Sequence, residues 1–361
     1  MITAVIFIIV LAILILVHEL GHFIMAKRAG MRVDEFGFGF PPRIWGIKRG
    51  ETIYSINAIP FGGFVKIYGE DGEEKDSPKS FSSKPIWQRF KVVAAGVVMN
   101  FLLAAVLLMF SNFLGLRIGV VDDENIPKEI ENIQVQIIQV AKDSPADMAG
   151  LRLLDEIKGF KLPDGTVKTV SITKDVQVTA LAYSGETATI LIKRGNQNLE
   201  KDIQFRKDPP QGQGAMGVAL ATTGEVSYPW YESVWRGVYN AVIATFNIII
   251  GFYLLFKTLL LRGTLMADVS GPIGIATLTG QAARISISYL LQFVALISLN
   301  LAVLNFIPFP ALDGGRAVLL GVEKLRGRPL AKRVEGLINS VGFSLLIALM
   351  IYVTIKDIAN L

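Results

Sequence analysis

Residues 2–17 form an apolar run without a single charged side chain, and this run constrains the fold more than any other feature of the sequence. Apolar residues resume shortly afterwards, so that segment 2–25 spans 24 residues. As one α-helix it would rise about 36 Å, enough to cross a hydrocarbon core of about 30 Å. It lacks the basic start and the small-residue cleavage site of a signal peptide. The pattern therefore predicts a membrane helix.

Four further stretches are apolar enough for membrane or membrane-associated helices: 92–114, 240–261, 289–309 and 338–356. Hydrophobic residues make up 52% of the 361-residue chain and charged residues 19%, against about 25% charged in ordinary soluble domains. This composition excludes intrinsic disorder and argues against a purely soluble globule. There is no cysteine, which excludes disulfides and cysteine-ligated metal sites. The sequence predicts a polytopic α-helical membrane protein.

Basic residues are concentrated in two loops. Segment 27–91 holds twelve Lys and Arg and segment 316–333 holds six, whereas segment 262–288 holds two. Because basic loops face the cytoplasm, we expect the N-terminus and residues 115–239 on the outer side. The net charge of +5 then reflects loops that face anionic lipid, and no nucleic-acid partner is expected.

This orientation limits the number of crossings. If 240–261 crossed fully, segment 289–309 would run outwards and the basic loop 316–333 would lie outside. We therefore expect about four transmembrane helices, with 240–261 associated with the membrane without crossing it. Lys257 and Asn247 fit such a partly exposed helix.

The outer region has short β-rich runs such as 133–140 and 187–194, which predict a mostly-β domain. Segment 142–160 predicts a turn, a short helix from Pro145 to Ala149 and a strand from Asp155. It resembles the SPA-x-x-AGL-x-x-GD-x-I signature of PDZ domains, which bind peptides by adding them as a strand. Leu154 stands where those domains usually have Gly, so the loop is expected to differ. The alternative is a β domain that binds nothing.

The segment HELGH at 18–22 matches the H-E-x-x-H pattern of zinc peptidases. On a helix, His18 and His22 face the same way about 6 Å apart along the axis, so both can bind one zinc ion. Glu19 can take a proton from a water molecule as general base. A histidine in an apolar helix is more often structural, but these are the only two histidines of the chain. Ionisable groups in a membrane helix are costly without a function.

A catalytic zinc needs a third protein ligand, and Asp313 is the strongest candidate. It ends the hydrophobic segment NFIPFPALDGG (305–315), in which Pro308 and Pro310 stop the helix. Gly314 and Gly315 then permit a tight turn or a close approach. The alternative is that Asp313 only caps a following helix.

Together these motifs, with GVVMN at 96–100, EFGFGF…KIYGE at 35–70 and VSGPIG at 269–274, resemble the site-2 protease family. The bacterial branch of the sigma-E-regulator protease type is the most similar. The resemblance implies a zinc metalloendopeptidase of the bacterial inner membrane with zinc on His18, His22 and Asp313. It implies cleavage of single-span membrane proteins, such as anti-sigma factors or remnant signal peptides. Many relatives carry two PDZ domains, whereas the outer region here has room for one.

The domain boundaries expected from the sequence are 1–114, with a membrane-associated β loop; 115–210, the outer PDZ-like domain; and 211–361. Within loop 43–67, two or three short strands are expected beside the active site. They would either pair with an unwound substrate or form an ordinary hairpin that supports the first helix.

Asn100 and Asn305 are amides within the apolar segments, and Gly96 precedes the first of them by four residues. Asn305 falls at the Asn position of the family motif, where it could bind substrate backbone or the developing oxyanion, or make an interhelical hydrogen bond. For Asn100 helix packing is favoured over substrate positioning, with Gly96 permitting close helix approach.

Three functions fit these observations. The leading hypothesis is an intramembrane zinc endopeptidase near the cytoplasmic face. The second is a non-catalytic membrane adaptor with a structural metal site and a peptide-binding outer domain. The third is a membrane-bound metalloprotease that acts on soluble peptides.

Overall fold

The computed structural model describes residues 2–70, 77–120, 127–195, 197–262, 271–328 and 330–359. Residues 269 and 270 of the VSGPIG segment lie outside this part of the chain. The described residues form helices α1 (Ile2–Arg28), α2 (Ile86–Leu114), α3 (Pro145–Met148), α4 (Thr173–Ala182), α5 (Trp230–Arg262), α6 (Pro272–Ile285), α7 (Ile287–Phe306), α8 (Asp313–Arg326) and α9 (Lys332–Ala359). The strands are β1 (Val33–Arg49), β2 (Thr52–Ile67), β3 (Leu116–Gly119), β4 (Glu131–Val140), β5 (Glu156–Lys161), β6 (Val167–Thr169), β7 (Thr187–Arg194), β8 (Gln197–Gln204) and β9 (Val218–Val226).

Five of these helices, α1, α2, α5, α7 and α9, are long and apolar enough to cross a membrane by length and composition. Helices α5 and α9 leave most of their apolar side chains exposed, as lipid-facing helices do, whereas α2 and α7 are more deeply buried in the protein. The prediction of a polytopic helical membrane protein with an inserted β region is confirmed. Whether α5 crosses remains a prediction, since length and composition alone do not decide it.

The chain divides into two compact units. The first comprises Met1–Met109, Val234–Gly280 and Leu291–Leu361, and the second comprises Phe110–Ser233 and Gln281–Leu290. In the first unit, β1 and β2 form a sheet with an unusual register, in which residues 35–38 pair both with residues 53–56 and with residues 63–66. The short strands expected in this loop are therefore parts of two long, folded strands.

The second unit contains a seven-stranded sheet, which we expect on the outer side and call the outer sheet, in the strand order β3-β9-β4-β5-β7-β8, with β6 beside β5. The predicted helix at Pro145 and the strand after Asp155 are both present, as α3 and β5. Leu154 has φ = 68°, the left-handed conformation that Gly adopts without strain, so the loop keeps a glycine-like backbone despite the substitution. The β domain was expected to end at residue 210. The sheet extends further, because β9, which begins at Val218, lies between β3 and β4.

Two ion pairs and a buried cluster attach α8 to the rest of the first unit. Leu320 of α8 packs in the cluster of Ala26, Met31, Val33, Ile67, Phe81, Val92 and Val93. The Arg89 guanidinium of α2 donates to Glu323 of α8 at 2.5 Å, and these side chains are only 10% and 18% exposed. Arg316 of α8 pairs with Glu70 after β2. These contacts fix the helix that begins at Asp313.

We expect Glu323→Ala to lower the free energy of unfolding by about 3 kcal/mol, because it leaves the buried Arg89 charge without its partner. Chemical denaturation in detergent micelles would measure this. The matched control is Glu200→Ala, which breaks the Lys161–Glu200 pair, whose side chains are 45% and 57% exposed, and should cost at most about 1 kcal/mol. Equal losses of unfolding free energy in the two variants would mean that the buried Arg89–Glu323 pair stabilises the protein no more than an exposed pair does.

Candidate metal centre

Helix α1 presents His18 and His22 one turn apart on the same face. Their Nε2 atoms lie 3.2 Å from each other, and the ring centroids are 4.9 Å apart. The two rings stand nearly perpendicular, at 81°, so that their nitrogen atoms converge on one point. This is the geometry that the i, i+4 spacing predicts for a shared metal ion.

The imidazoles are accommodated by a close crossing of α1 and α2. A Cβ at Gly21 of α1 would collide with the carbonyl of Ala95, so that the backbones approach without a side chain between them. A Cβ at Gly96 of α2 would lie 2.5 Å from His22 Nε2 and 2.6 Å from His18 Cε1. The rings therefore occupy the space that any other residue at position 96 would fill.

Asp313 reaches the histidines from the start of α8. Helix α7 ends at Phe306, and the segment with Pro308 and Pro310 leads the chain to Asp313. Gly314 and Gly315 pack directly on carbonyl groups of residues 306–309, where a Cβ would collide with them. Asp313 does open a helix, as the alternative supposed, but its carboxylate Oδ2 lies 3.2 Å from His18 Nε2 and 3.4 Å from His22 Nε2.

These three side chains form a cluster suited to a metal ion. Each offers one ligand atom, and the three atoms lie within 4.8 Å of one another. Asp313 Oδ2 is buried and makes no regular hydrogen bond, although two imidazole nitrogens lie close to it. Two imidazole nitrogens and one carboxylate oxygen are a ligand set that zinc accepts in catalytic sites. The residues present therefore fit the zinc ion that the motif predicts.

Glu19 follows the first histidine and is positioned by the β1–β2 sheet. Its Oε2 accepts a hydrogen bond of 3.1 Å from the backbone N–H of Val65 in β2. Gly63 lies beside the same side chain, since a Cβ there would be 3.7 Å from Glu19 Cγ. The sequence predicted a sheet near the active site, but it carried no signal for this contact, because a backbone N–H is present at every residue except proline.

The outer nitrogen of each histidine also has a neighbour. His22 Nδ1 donates to the carbonyl of Val92 at 2.8 Å, and His18 Nδ1 lies 3.3 Å from the side-chain Nδ2 of Asn100. The sequence favoured a packing role for Asn100 and did not indicate this polar contact with a candidate ligand. Asn305 lies in the last turn of α7, half-buried, and no side-chain hydrogen bond joins it to another described residue.

Comparison with known proteins agrees with this site. Residues 6–349 match the model of peptidase family M50. A Clostridium perfringens protein assigned to the zinc metalloproteases is 35% identical over 346 residues, covering 96% of this chain and 95% of the relative. The regulator of sigma-W protease RasP of Bacillus subtilis is 28% identical, with 99% of each chain covered. Zinc metalloprotease RasP of Geobacillus kaustophilus is 27% identical, covering 98% and 96%.

The match extends over nearly the whole chain and includes both ends of the candidate site. The prediction of a zinc metalloendopeptidase, with Zn²⁺ as its cofactor, is confirmed by this match. The adaptor without catalytic activity is accordingly disfavoured. The chain belongs to peptidase family M50, the site-2 protease family, and is a multi-pass membrane zinc protease.

Proposed function

We propose that His18, His22 and Asp313 hold the zinc ion and that Glu19 is the general base of peptide hydrolysis. The observation that carries this proposal is the convergence of the three ligand atoms within 4.8 Å, from helices 295 positions apart in sequence (18 to 313). The ligands arrive on two separate helices that are each fixed by packing and hydrogen bonds. A site held this way suits catalysis, because the geometry is set before substrate binds.

A bound zinc ion supplies a Lewis acid that polarises the scissile carbonyl and makes water acidic enough to attack at neutral pH. Glu19 takes the proton from the attacking water as its oxygen bonds to the carbonyl carbon. The Val65 N–H holds Glu19 Oε2, and Oε1 has no hydrogen-bond partner among the described residues, so it is available for the proton. Glu19 then donates the proton to the amide nitrogen as the C–N bond breaks.

The substrates are single-span membrane proteins, such as anti-sigma factors or remnant signal peptides, cut in or near the membrane segment. The name of the Bacillus relative, a regulator of sigma-W protease, supports the first class. A helical substrate hides its amides and must unwind before cleavage. Segment 63–66 of β2 lies beside Glu19 and pairs on one side with residues 35–38, which favours an extended substrate aligned next to it.

The active site lies in the membrane towards the cytoplasmic face. His18 precedes Lys27, the first basic residue, by nine positions, or about 13 Å along α1. The exposed part of the β1–β2 sheet carries Ile44, Trp45 and Ile47 together with Arg43 and Lys48, a combination that suits the lipid headgroup region. This supports the membrane-associated β loop expected from the sequence.

Helix α5 lies at the outer membrane surface, which leaves four crossings. Its first turns carry Trp230, Tyr231, Trp235 and Tyr239, all more than half exposed, as in an interfacial aromatic belt. The next helix, α6, contacts two helix ends that we place on the outer side. Asp357 near the end of α9 accepts from the N–H groups of Gly271 and Gly274, and Gly280 packs on Thr3 at the start of α1.

A crossing α5 would end on the cytoplasmic side. Nine residue steps separate Arg262 from Gly271, and at about 3.5 Å per step they reach at most about 32 Å, hardly more than the hydrocarbon core of about 30 Å that they would have to recross. The chain length therefore favours an α5 that stays on the outer side.

The outer sheet binds a peptide by strand addition, as PDZ-like domains do. Residues 218–221 of β9 pair with β4, whereas on the β3 side the last described contact is the Val120 N–H donating to the Thr222 carbonyl, so the other edge of 218–221 has no strand among the described residues. Helix α4 lies next to this edge, with the Thr173 N–H donating to Thr222 Oγ1 at 3.0 Å. A strand edge beside a helix is the arrangement that strand addition needs.

Gly96→Ala should weaken zinc binding at least about tenfold, because the new Cβ occupies the space of the two imidazoles. Competition with a chromophoric chelator measures the dissociation constant in detergent. The control is Gly251→Ala on α5, where no atom lies within 4 Å of the added Cβ. Unchanged zinc affinity in Gly96→Ala would refute the proposed position of the metal.

Glu19→Gln should lower cleavage of a reconstituted single-span substrate by about 10²-fold or more, while bound zinc remains near one equivalent, because only the proton acceptor is lost. Gel analysis of the products and metal analysis of the same sample give both values. Glu200→Gln on the outer sheet is the control. Persistent cleavage in Glu19→Gln would exclude Glu19 as the base, and efficient cleavage of soluble extended peptides would favour the third function considered above.

Because the chain has no cysteine, single-cysteine variants can test the position of α5. We expect Lys257→Cys to react with a membrane-impermeant maleimide added to intact cells, since Lys257 is exposed on a helix at the outer surface. Lys324→Cys on the cytoplasmic α8 should react only after permeabilisation. A Lys257→Cys variant that behaves like Lys324→Cys would mean that α5 crosses.

A further inference from the structure

The side-chain amide of Asn100 lies between α2 and the first candidate zinc ligand. Asn100 is 1% exposed, its Nδ2 lies 3.3 Å from His18 Nδ1, and its Oδ1 is buried without a hydrogen-bond partner. Its backbone carbonyl accepts a hydrogen bond of 2.8 Å from Ser298 Oγ of α7, which fixes α2 at this point. A buried amide oxygen without a partner is costly, and its presence needs a reason.

Zinc binding changes what this amide must do. His18 Nε2 points at Asp313 and is the nitrogen available to a metal, so its lone pair must be free. The ring hydrogen of the neutral imidazole is then on Nδ1. Two donors, Nδ1–H and the Asn100 NH₂ group, would face each other, while the Asn100 oxygen stayed unpaired. A half-turn of the carboxamide, which barely changes its shape, exchanges Oδ1 and Nδ2 and removes both conflicts.

We propose that Asn100 is a positioning residue for the metal: in the zinc-loaded enzyme its Oδ1 accepts a hydrogen bond from His18 Nδ1–H. This inference rests on the proposed ligand set. The bond fixes the tautomer that leaves Nε2 free and holds the ring plane towards Asp313. His22 has the same arrangement, because its Nδ1 donates to the Val92 carbonyl at 2.8 Å. Ligand histidines regularly have such outer partners.

The two histidines differ in what holds them. The acceptor for His22 is a backbone carbonyl of α2, which no side-chain substitution removes. The acceptor for His18 is a side chain of the same helix, two turns further along. A side-chain substitution can therefore remove the outer partner of His18 but not that of His22. This makes Asn100 a selective test.

The test compares Asn100→Leu, Asn100→Asp and Asn112→Leu in the full-length protein in detergent. Leu fills the space without an acceptor, and Asp restores an acceptor of the same size. Asn112 is the matched control: it is a buried amide of the same helix, 0% exposed, twelve residues from Asn100. The zinc dissociation constant is measured by chelator competition, and the thermal unfolding of the zinc-free protein is measured in parallel.

We expect Asn100→Leu to weaken zinc binding about 10- to 100-fold, and both Asn100→Asp and Asn112→Leu to stay within about threefold of the unsubstituted protein. Zinc affinity in Asn100→Leu within threefold of the unsubstituted protein would overturn the proposal. An equal loss of zinc affinity in Asn100→Asp would also overturn it, because the amide would then act only by filling space and not as an acceptor. If Asn100→Leu does not fold, the Asn100→Asp result decides. Failure of the ligand set itself is distinguishable, since the unsubstituted protein would then bind no zinc.

Discussion

The proposed activity depends on placing two imidazoles and two carboxylates among helices that we propose lipid surrounds. Unpaired polar groups there are costly, so each must find its partner in the protein. The structure meets this demand by a close crossing of α1 and α2 at Gly21 and Gly96, where backbone and imidazole are in direct contact. The Val92 carbonyl, the Asn100 amide and the Val65 N–H then lie within reach of His22, His18 and Glu19 respectively. These contacts orient His18, His22 and Glu19, and they leave Asp313 Oδ2 without a regular hydrogen bond, as a group that binds a metal ion requires.

The second requirement is that α8 place Asp313 against helices that come from the other end of the chain. A carboxylate displaced by about 1 Å would lose much of its use to a metal, so the helix needs rigid supports. Leu320 supplies a buried apolar contact, and Arg89 and Arg316 supply ion pairs on two sides of the helix. The glycines after Asp313 bring α8 onto the carbonyl groups of residues 306–309. The stability of this part of the protein and the geometry of the candidate metal site thus depend on one packing arrangement.

The local chemistry of the site could be predicted from the sequence, because helix periodicity places His18, Glu19 and His22 without knowledge of the rest. Asp313 could be predicted because prolines and glycines mark a break in an apolar segment. The contacts that orient these groups could not. Val65 and Val92 act through backbone groups, which every sequence provides. The proposed role of Asn100 depends on how α1 and α2 cross, and an amide in an apolar segment does not reveal that crossing. The boundary at residue 210 failed for a related reason: β9 joins the sheet between β3 and β4, and strand order is a long-range property.

The β1–β2 sheet links the two halves of the proposed reaction. One N–H of β2 donates to Glu19, so the proposed general base is tied to the strand that lies beside it. A substrate that paired along this strand would place its scissile amide at a fixed distance from the base and from the three ligand atoms. The helix that carries the catalytic groups cannot offer such pairing, because its own backbone groups are already used. Unwinding a transmembrane segment in lipid is costly for the same reason. In the proposed mechanism, a strand edge beside α1 would offset that cost by supplying hydrogen bonds that the substrate loses.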